Sequence, residues 1–120
     1  MSEILQELDR IGAETTDALD RFLNDEEMYL KYVHDFPEER SMMNLISAVE
    51  EKDYVQAEKS VHALKGIVNN LGFIPLADAA IDMLEELRDN NIEEALNEYD
   101  DVKRQYDIFC KVIKAWRGDL

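Results

Sequence analysis

The sequence predicts an all-α fold, an antiparallel up-down four-helix bundle with additional short helices at its amino end. Three observations predict it. Apolar residues recur at three- and four-residue spacing through long segments; only 4 Gly and 2 Pro interrupt the chain; and no stretch alternates apolar and polar residues as a half-buried strand does. At 120 residues the chain suffices for one domain, 1–120, with its own core, and is too short for two.

The first segment, residues 3 to 10, places Ile4, Leu5 and Leu8 on one side and stops near Gly12. The second, about 14 to 23, puts Leu19, Phe22 and Leu23 together. Asn24 or Asp25 then caps a helix that runs to Phe36, with Glu26 and Glu27 in its first turn and Tyr29, Val33 and Phe36 as its inner stripe beside Leu30. Pro37 has no amide hydrogen and restricts Phe36, so a boundary falls there and a new helix starts between Pro37 and Ser41. Met42, Leu45, Ile46 and Val49 repeat at helical spacing up to Glu51-Lys52.

Asp53 followed by Gln56 reads as an N-cap with its capping-box partner, opening a helix whose buried stripe is Ala57, Val61, Leu64, Val68 and Leu71. Gly72 suits the left-handed residue that ends it, and Pro75 suits the first turn of the next helix. That helix has Leu76, Ala80, Met83, Leu84 and Leu87 on its inner face and stops at Asp89-Asn90-Asn91. Asn91 with Glu94 is a second capping-box candidate. From there Tyr99, Val102, Tyr106, Phe109, Ile113 and Trp116 continue the pattern begun at Leu96, through a helix of about 25 residues.

The formal net charge of −15 argues against nucleic acid or an anionic membrane as partner, because both need clustered Lys and Arg. Cys110 is the single cysteine and sits in the apolar pattern, which fits a packed thiol in a reducing compartment. No apolar run approaches the ~20 residues of a membrane span, and Met1-Ser2-Glu3-Ile4 lacks the features of a signal peptide. A cytoplasmic protein, monomeric, is the expectation.

One position resists a purely structural account. Glycine inside a helix costs about 1 kcal/mol relative to alanine, yet Gly66 lies in the middle of the segment from Val61 to Leu71. At ~100° per residue, His62 lies roughly 140° from the centre of the buried stripe and so faces solvent. Residues three and four apart share a face, which makes His62, Lys65 and Gly66 one local surface; Asn69 and Phe73 fall within about 60° of His62, and Lys59 lies one turn before it.

The arrangement His62-x-x-Lys65-Gly66, closed by Gly72, resembles the histidine-containing phosphotransfer (HPt) domains of multistep bacterial phosphorelays. The resemblance extends to the lead-in from Asp20-Arg21-Phe22 to Asp25-Glu26-Glu27, the Phe36-Pro37-Glu38 junction and the two closing helices. It implies that His62 accepts a phosphoryl group from the aspartyl phosphate of a response-regulator receiver domain and passes it to another receiver. A hybrid histidine kinase is a further candidate partner. The chemistry of the residues agrees: an imidazole of ordinary pKa about 6.5 offers a free lone pair at neutral pH. Phosphoryl transfer asks chiefly for positioning and charge stabilisation, which Lys65 supplies. Gly66 removes the side chain that would crowd the incoming phosphate and the partner's rim.

Between Asp53 and Phe73, Asp53 and Glu58 are balanced by Lys59 and Lys65, so this helix is neutral within an acidic chain. The resemblance implies an acidic receiver site holding Mg²⁺, which such a landing zone would meet with less repulsion. That metal belongs to the partner, and no cofactor is expected on this chain. Lys59, Asn69 and Phe73 are partner-facing candidates, with Met28 and Lys31 on the docking rim and Gly72 structural.

Two positions depart from the family pattern. Asn69 stands where a small residue is common, and either hydrogen-bonds the phosphoryl group or narrows access to it. A polar residue of the next helix often orients the histidine ring, whereas that region offers Ile81 and Leu84, with Asp82 and Glu85 of undetermined direction. The orienting residue stays unassigned.

Competing readings are a metal bundle, a scaffold that binds partners without phosphorylation, and a module excised from a hybrid or chemotaxis-type kinase. Di-iron bundles use Glu-x-x-His pairs on two helices, and neither His62 nor His34 has a Glu three residues before it. His34, beside Asp35, reads as a solvated surface residue. No glycine-rich nucleotide loop points to a kinase in this chain.

Overall fold

Each break in the helical pattern has a local chemical cause. The computed structural model describes residues 2–119 and places seven α-helices and one 3-10 turn among them. Met1 and Leu120, the ends of the expected domain, lie outside the described residues. Helix α1 (Glu3–Arg10) buries Ile4, Leu5 and Leu8, as its spacing predicts. Helix α2 (Thr15–Arg21) starts where the Asp9 carboxylate accepts hydrogen bonds from the Thr15 N–H (3.0 Å) and hydroxyl (2.8 Å), which leaves buried Thr15 satisfied.

The face expected of α2 is corrected. Thr15 and Ala18 are its buried residues, Leu19 and Phe22 are half-buried, and Leu23 is 90% exposed. Leu23 and Asn24 take left-handed backbone angles, φ 56° and 60°, so the chain turns before Leu23 reaches the inner face.

Asp25 is the cap of α3 (Glu26–Asp35), its carboxylate accepting from the Met28 N–H at 3.0 Å. Tyr29, Val33 and Phe36 are buried in the expected stripe, with Phe36 already in the 3-10 turn Phe36–Glu38 that Pro37 imposes. Helix α4 (Arg40–Glu50) is capped by Glu39, and α5 (Tyr54–Leu71) by Asp53, which accepts from the Gln56 N–H at 3.1 Å. Helices α6 (Ile74–Arg88) and α7 (Ile92–Arg117) complete the chain.

Asn91 stands at the N-cap position of α7 as expected, but the capping-box hydrogen bond is absent: its side-chain amide donates to Glu86 (3.0 Å) across the α6–α7 turn instead. Over the 26 residues of α7 the three-four spacing drifts against a 3.6-residue turn. Its stripe is buried at Tyr99, Val102, Phe109 and Ile113, and the drift leaves Trp116 at its far end 40% exposed; Leu96 and Tyr106 are half-buried, Tyr106 with its hydroxyl donating to the Pro37 carbonyl at 2.6 Å. Cys110 is buried, as its pattern indicates.

Helix α4 packs on α5, α5 on α6 and α6 on α7, each pair joined by a short turn. Helices α1 and α3 lie against α7, and α2 and α3 against α5. The inner faces of α5 and α6 are buried as expected, and Phe36, Phe73 and Phe109 meet in an aromatic centre with ring separations of 5.1 and 4.4 Å. No helix among the described residues is long and apolar enough to cross a membrane.

Candidate functional site

Five buried positions, Ala57, Val61, Leu64, Val68 and Leu71, fix the rotation of α5 against its neighbours. That rotation turns His62 outward, and it is exposed, as are Lys59, Gly66 and Asn69, while Lys65 is half-buried. Among the described residues no side-chain hydrogen bond holds the His62 ring. Of the α6 residues considered for orienting the ring, Leu84 is buried, Ile81 half-buried, and Asp82 and Glu85 are exposed to solvent.

A Cβ built on Gly66 would meet nothing within 4 Å. The backbone there is ordinary helix, so neither a close approach nor a left-handed angle calls for glycine. Gly72 is the opposite case. It has φ +79°, and a Cβ there would lie 2.7 Å from the Glu14 carbonyl oxygen of the α1–α2 connection. Its structural role therefore has two causes, conformation and contact.

Phe73 is corrected. It is 0% exposed, stacked on Phe109 and edge-on to Phe36, and presents nothing to a partner. The helical wheel that placed it beside His62 stops at Leu71; the left-handed Gly72 reverses the chain, and the Phe73 N–H donates back to the Val68 carbonyl at 2.9 Å.

Met28 and Lys31 are exposed on α3 and line a shallow depression with Tyr32. Tyr32 also borders a second depression with Ile67 and Asn70 of α5, and Asn70 a third, which holds Gly66, Asn69 and Arg21. The fold thus joins the α3 rim to the Gly66 face in one continuous band. His62 and Lys59 continue it toward the amino end of α5.

Two cations near this face are not among the site residues read from the sequence. Arg88 of α6 has its Nε 3.9 Å from Glu58, one turn before His62, and Arg21 of α2 reaches the carboxyl end of α5. Both lie far from His62 in sequence, and an arginine in the last turn of a helix ordinarily reads as serving that helix's own dipole. The acids crowd elsewhere: burial, then the carboxylates of Asp82, Asp101, Glu94 and Glu86, push Glu98 above its ordinary range on the α6–α7 side. Among the described residues no three His, Cys, Asp or Glu side chains converge as metal ligands. His34 is exposed, its Nδ1 3.0 Å from Asp35.

Neither protein-family models, nor curated proteins, nor solved structures yield a match to this chain.

Proposed function

We propose that this chain is a histidine phosphotransfer module in which α4 to α7 form an antiparallel up-down four-helix bundle and His62 carries the phosphoryl group between receiver domains. One observation carries the reading. An exposed histidine with an unconstrained ring lies one turn from a helical glycine whose missing side chain borders only open space. Packing gives no reason for that glycine, and clearance for a docking partner does.

In the proposed step a ring nitrogen of neutral His62 attacks the phosphorus of an aspartyl phosphate. The N–P bond forms as the O–P bond breaks, the aspartate leaves as a carboxylate, and the proton on the other ring nitrogen stays. Lys65, three residues along the same face, balances the phosphoryl charge. The receiver supplies Mg²⁺, the chain acts as a cytoplasmic monomer, and it neither binds ATP nor phosphorylates itself. Lys59 and Asn69 with the Met28 and Lys31 rim form the landing surface, to which Tyr32, Ile67 and Asn70 are added.

Incubation with receiver domains charged by a labelled phosphodonor tests this. Label should pass to the wild type and not to His62→Gln, whose melting temperature should stay near that of the wild type because the side chain is exposed. Label on both proteins would move the acceptor elsewhere. Label on neither would favour a phosphorylation-independent scaffold.

A further inference from the structure

A helix leaves its last four carbonyls without partners inside the helix. In α5 all four are met. Val68 accepts from the Phe73 N–H (2.9 Å), and Asn69 from the Gly72 N–H (3.1 Å) and Arg21 Nη2 (2.7 Å). Asn70 accepts from Arg21 Nε (3.3 Å) and Nη2 (3.2 Å), and Leu71 from the buried Tyr29 hydroxyl (2.7 Å). The carbonyl of Gly72 then accepts from the Glu14 N–H at 2.9 Å.

Two of these five carbonyls are thus held only by side chains that approach from outside the α5–α6 hairpin, Asn70 by Arg21 of α2 and Leu71 by Tyr29 of α3, while that of Gly72 is shared between the Glu14 N–H and the Ile74 N–H (3.0 Å). Arg21 bridges two consecutive carbonyls, and its positive charge sits where the helix dipole is negative. Its guanidinium borders the same shallow depression as Gly66 and Asn69.

We propose that α2 and α3 clamp the carboxyl end of α5, and that Arg21 is a positioning residue for the surface on which a receiver lands. This rests on the phosphotransfer reading above. Gly66 weakens α5 next to its phosphoacceptor, and a helix end beyond such a residue is prone to local opening. A partner that must bring phosphorus in line with His62 tolerates little displacement of that end, since a misplacement of about 1 Å costs about a hundredfold in rate. The clamp offsets the looseness that the clearance glycine introduces. Arg21 does this through backbone carbonyls, without touching the imidazole.

The test compares the full chain with Arg21→Gln and Arg21→Lys by three measurements. Amide exchange at Gly72 and Phe73 reads the clamp. Labelling of His62 by phosphoramidate, in which the N–P bond to His62 forms as ammonia departs, reads acceptor chemistry without docking. Transfer from a charged receiver at increasing concentration reads positioning.

Arg21→Gln should lose about tenfold in exchange protection at Gly72 and Phe73. Its phosphoramidate labelling should match the wild type, and half-maximal transfer should need about five- to tenfold more receiver. Arg21→Lys should recover part of each effect, because an ammonium keeps the charge but lacks the planar fork that spans two carbonyls. Unchanged exchange and unchanged receiver dependence in Arg21→Gln would overturn the clamp. So would a parallel fall in both labelling reactions with full Arg21→Lys protection, which marks a general loss of activity. If no receiver labels the wild type, the phosphotransfer reading fails by itself, and the exchange measurement still judges the clamp.

Discussion

Replacing Gly66 with alanine separates what the fold needs from what a partner needs. A Cβ at this position meets nothing within 4 Å, so the substitution introduces no internal clash. Alanine restricts the unfolded chain and suits a helix interior better, and at a site whose backbone accepts it the gain is about 0.4–1 kcal/mol. With an unfolding entropy of about 2.1 cal/mol/K per residue, a chain of this size should melt about 2–4 °C higher. Transfer from a receiver should fall at the same time, because the methyl group occupies the space left for the partner. Gly66→Leu should extend the second trend, with the fold retained and transfer lowered about ten- to a hundredfold, the effect of about 1–3 kcal/mol of overpacking at an interface. Thermal melting and receiver-transfer kinetics on the same preparations decide the matter. A lower melting temperature for Gly66→Ala would mean that glycine serves the fold. Wild-type transfer by both variants would refute the clearance argument outright.

Gly72→Ala should behave oppositely and destabilise the protein by about 1–2 kcal/mol or more, since it forces a side chain into a left-handed backbone and against the Glu14 carbonyl oxygen at 2.7 Å; a melt that matches the wild type would contradict this. Alkaline pH should also destabilise the fold. Burial pushes the Cys110 thiol from 9.0 up to about 11, so the folded chain keeps a proton that the unfolded chain releases; the stability this provides is complete below pH 9 and is lost as pH rises through 11. Burial likewise raises the Tyr29 and Tyr106 phenols, which extends the loss above pH 10. Melting temperatures from pH 8 to 11 should fall more steeply for the wild type than for Cys110→Ala, and parallel profiles would count against a buried, protonated thiol.

The helical elements were legible because local chemistry marks them: Asp25 and Asp53 cap their helices, Pro37 breaks one, and Gly72 ends another. The rotation of α5 was legible as well. Its five stripe residues are all buried, and burying them leaves His62 only the outer face. The errors came where a wheel was carried past the end of its helix, at Phe73 and Leu23, or over too many turns within one, at Trp116. Phe73 follows a left-handed residue and turns into the aromatic centre, Leu23 follows the last turn of α2 and turns outward, and Trp116 lies where a long spacing has drifted. Asn91 had the residue type of a cap but found Glu86 across the turn.

By itself, then, the sequence determined the helices, the inner faces of α5 and α6 and the shared surface of His62, Lys65 and Gly66, because these depend on a periodicity that each helix carries within itself. Only the tertiary structure decided that Gly66 has no internal neighbour, that Tyr32 and Asn70 join the α3 rim to α5, and that Arg21 and Tyr29 hold the end of that helix. The Arg21 and Tyr29 contacts link residues more than 40 positions apart, and no local pattern encodes the packing that brings them together.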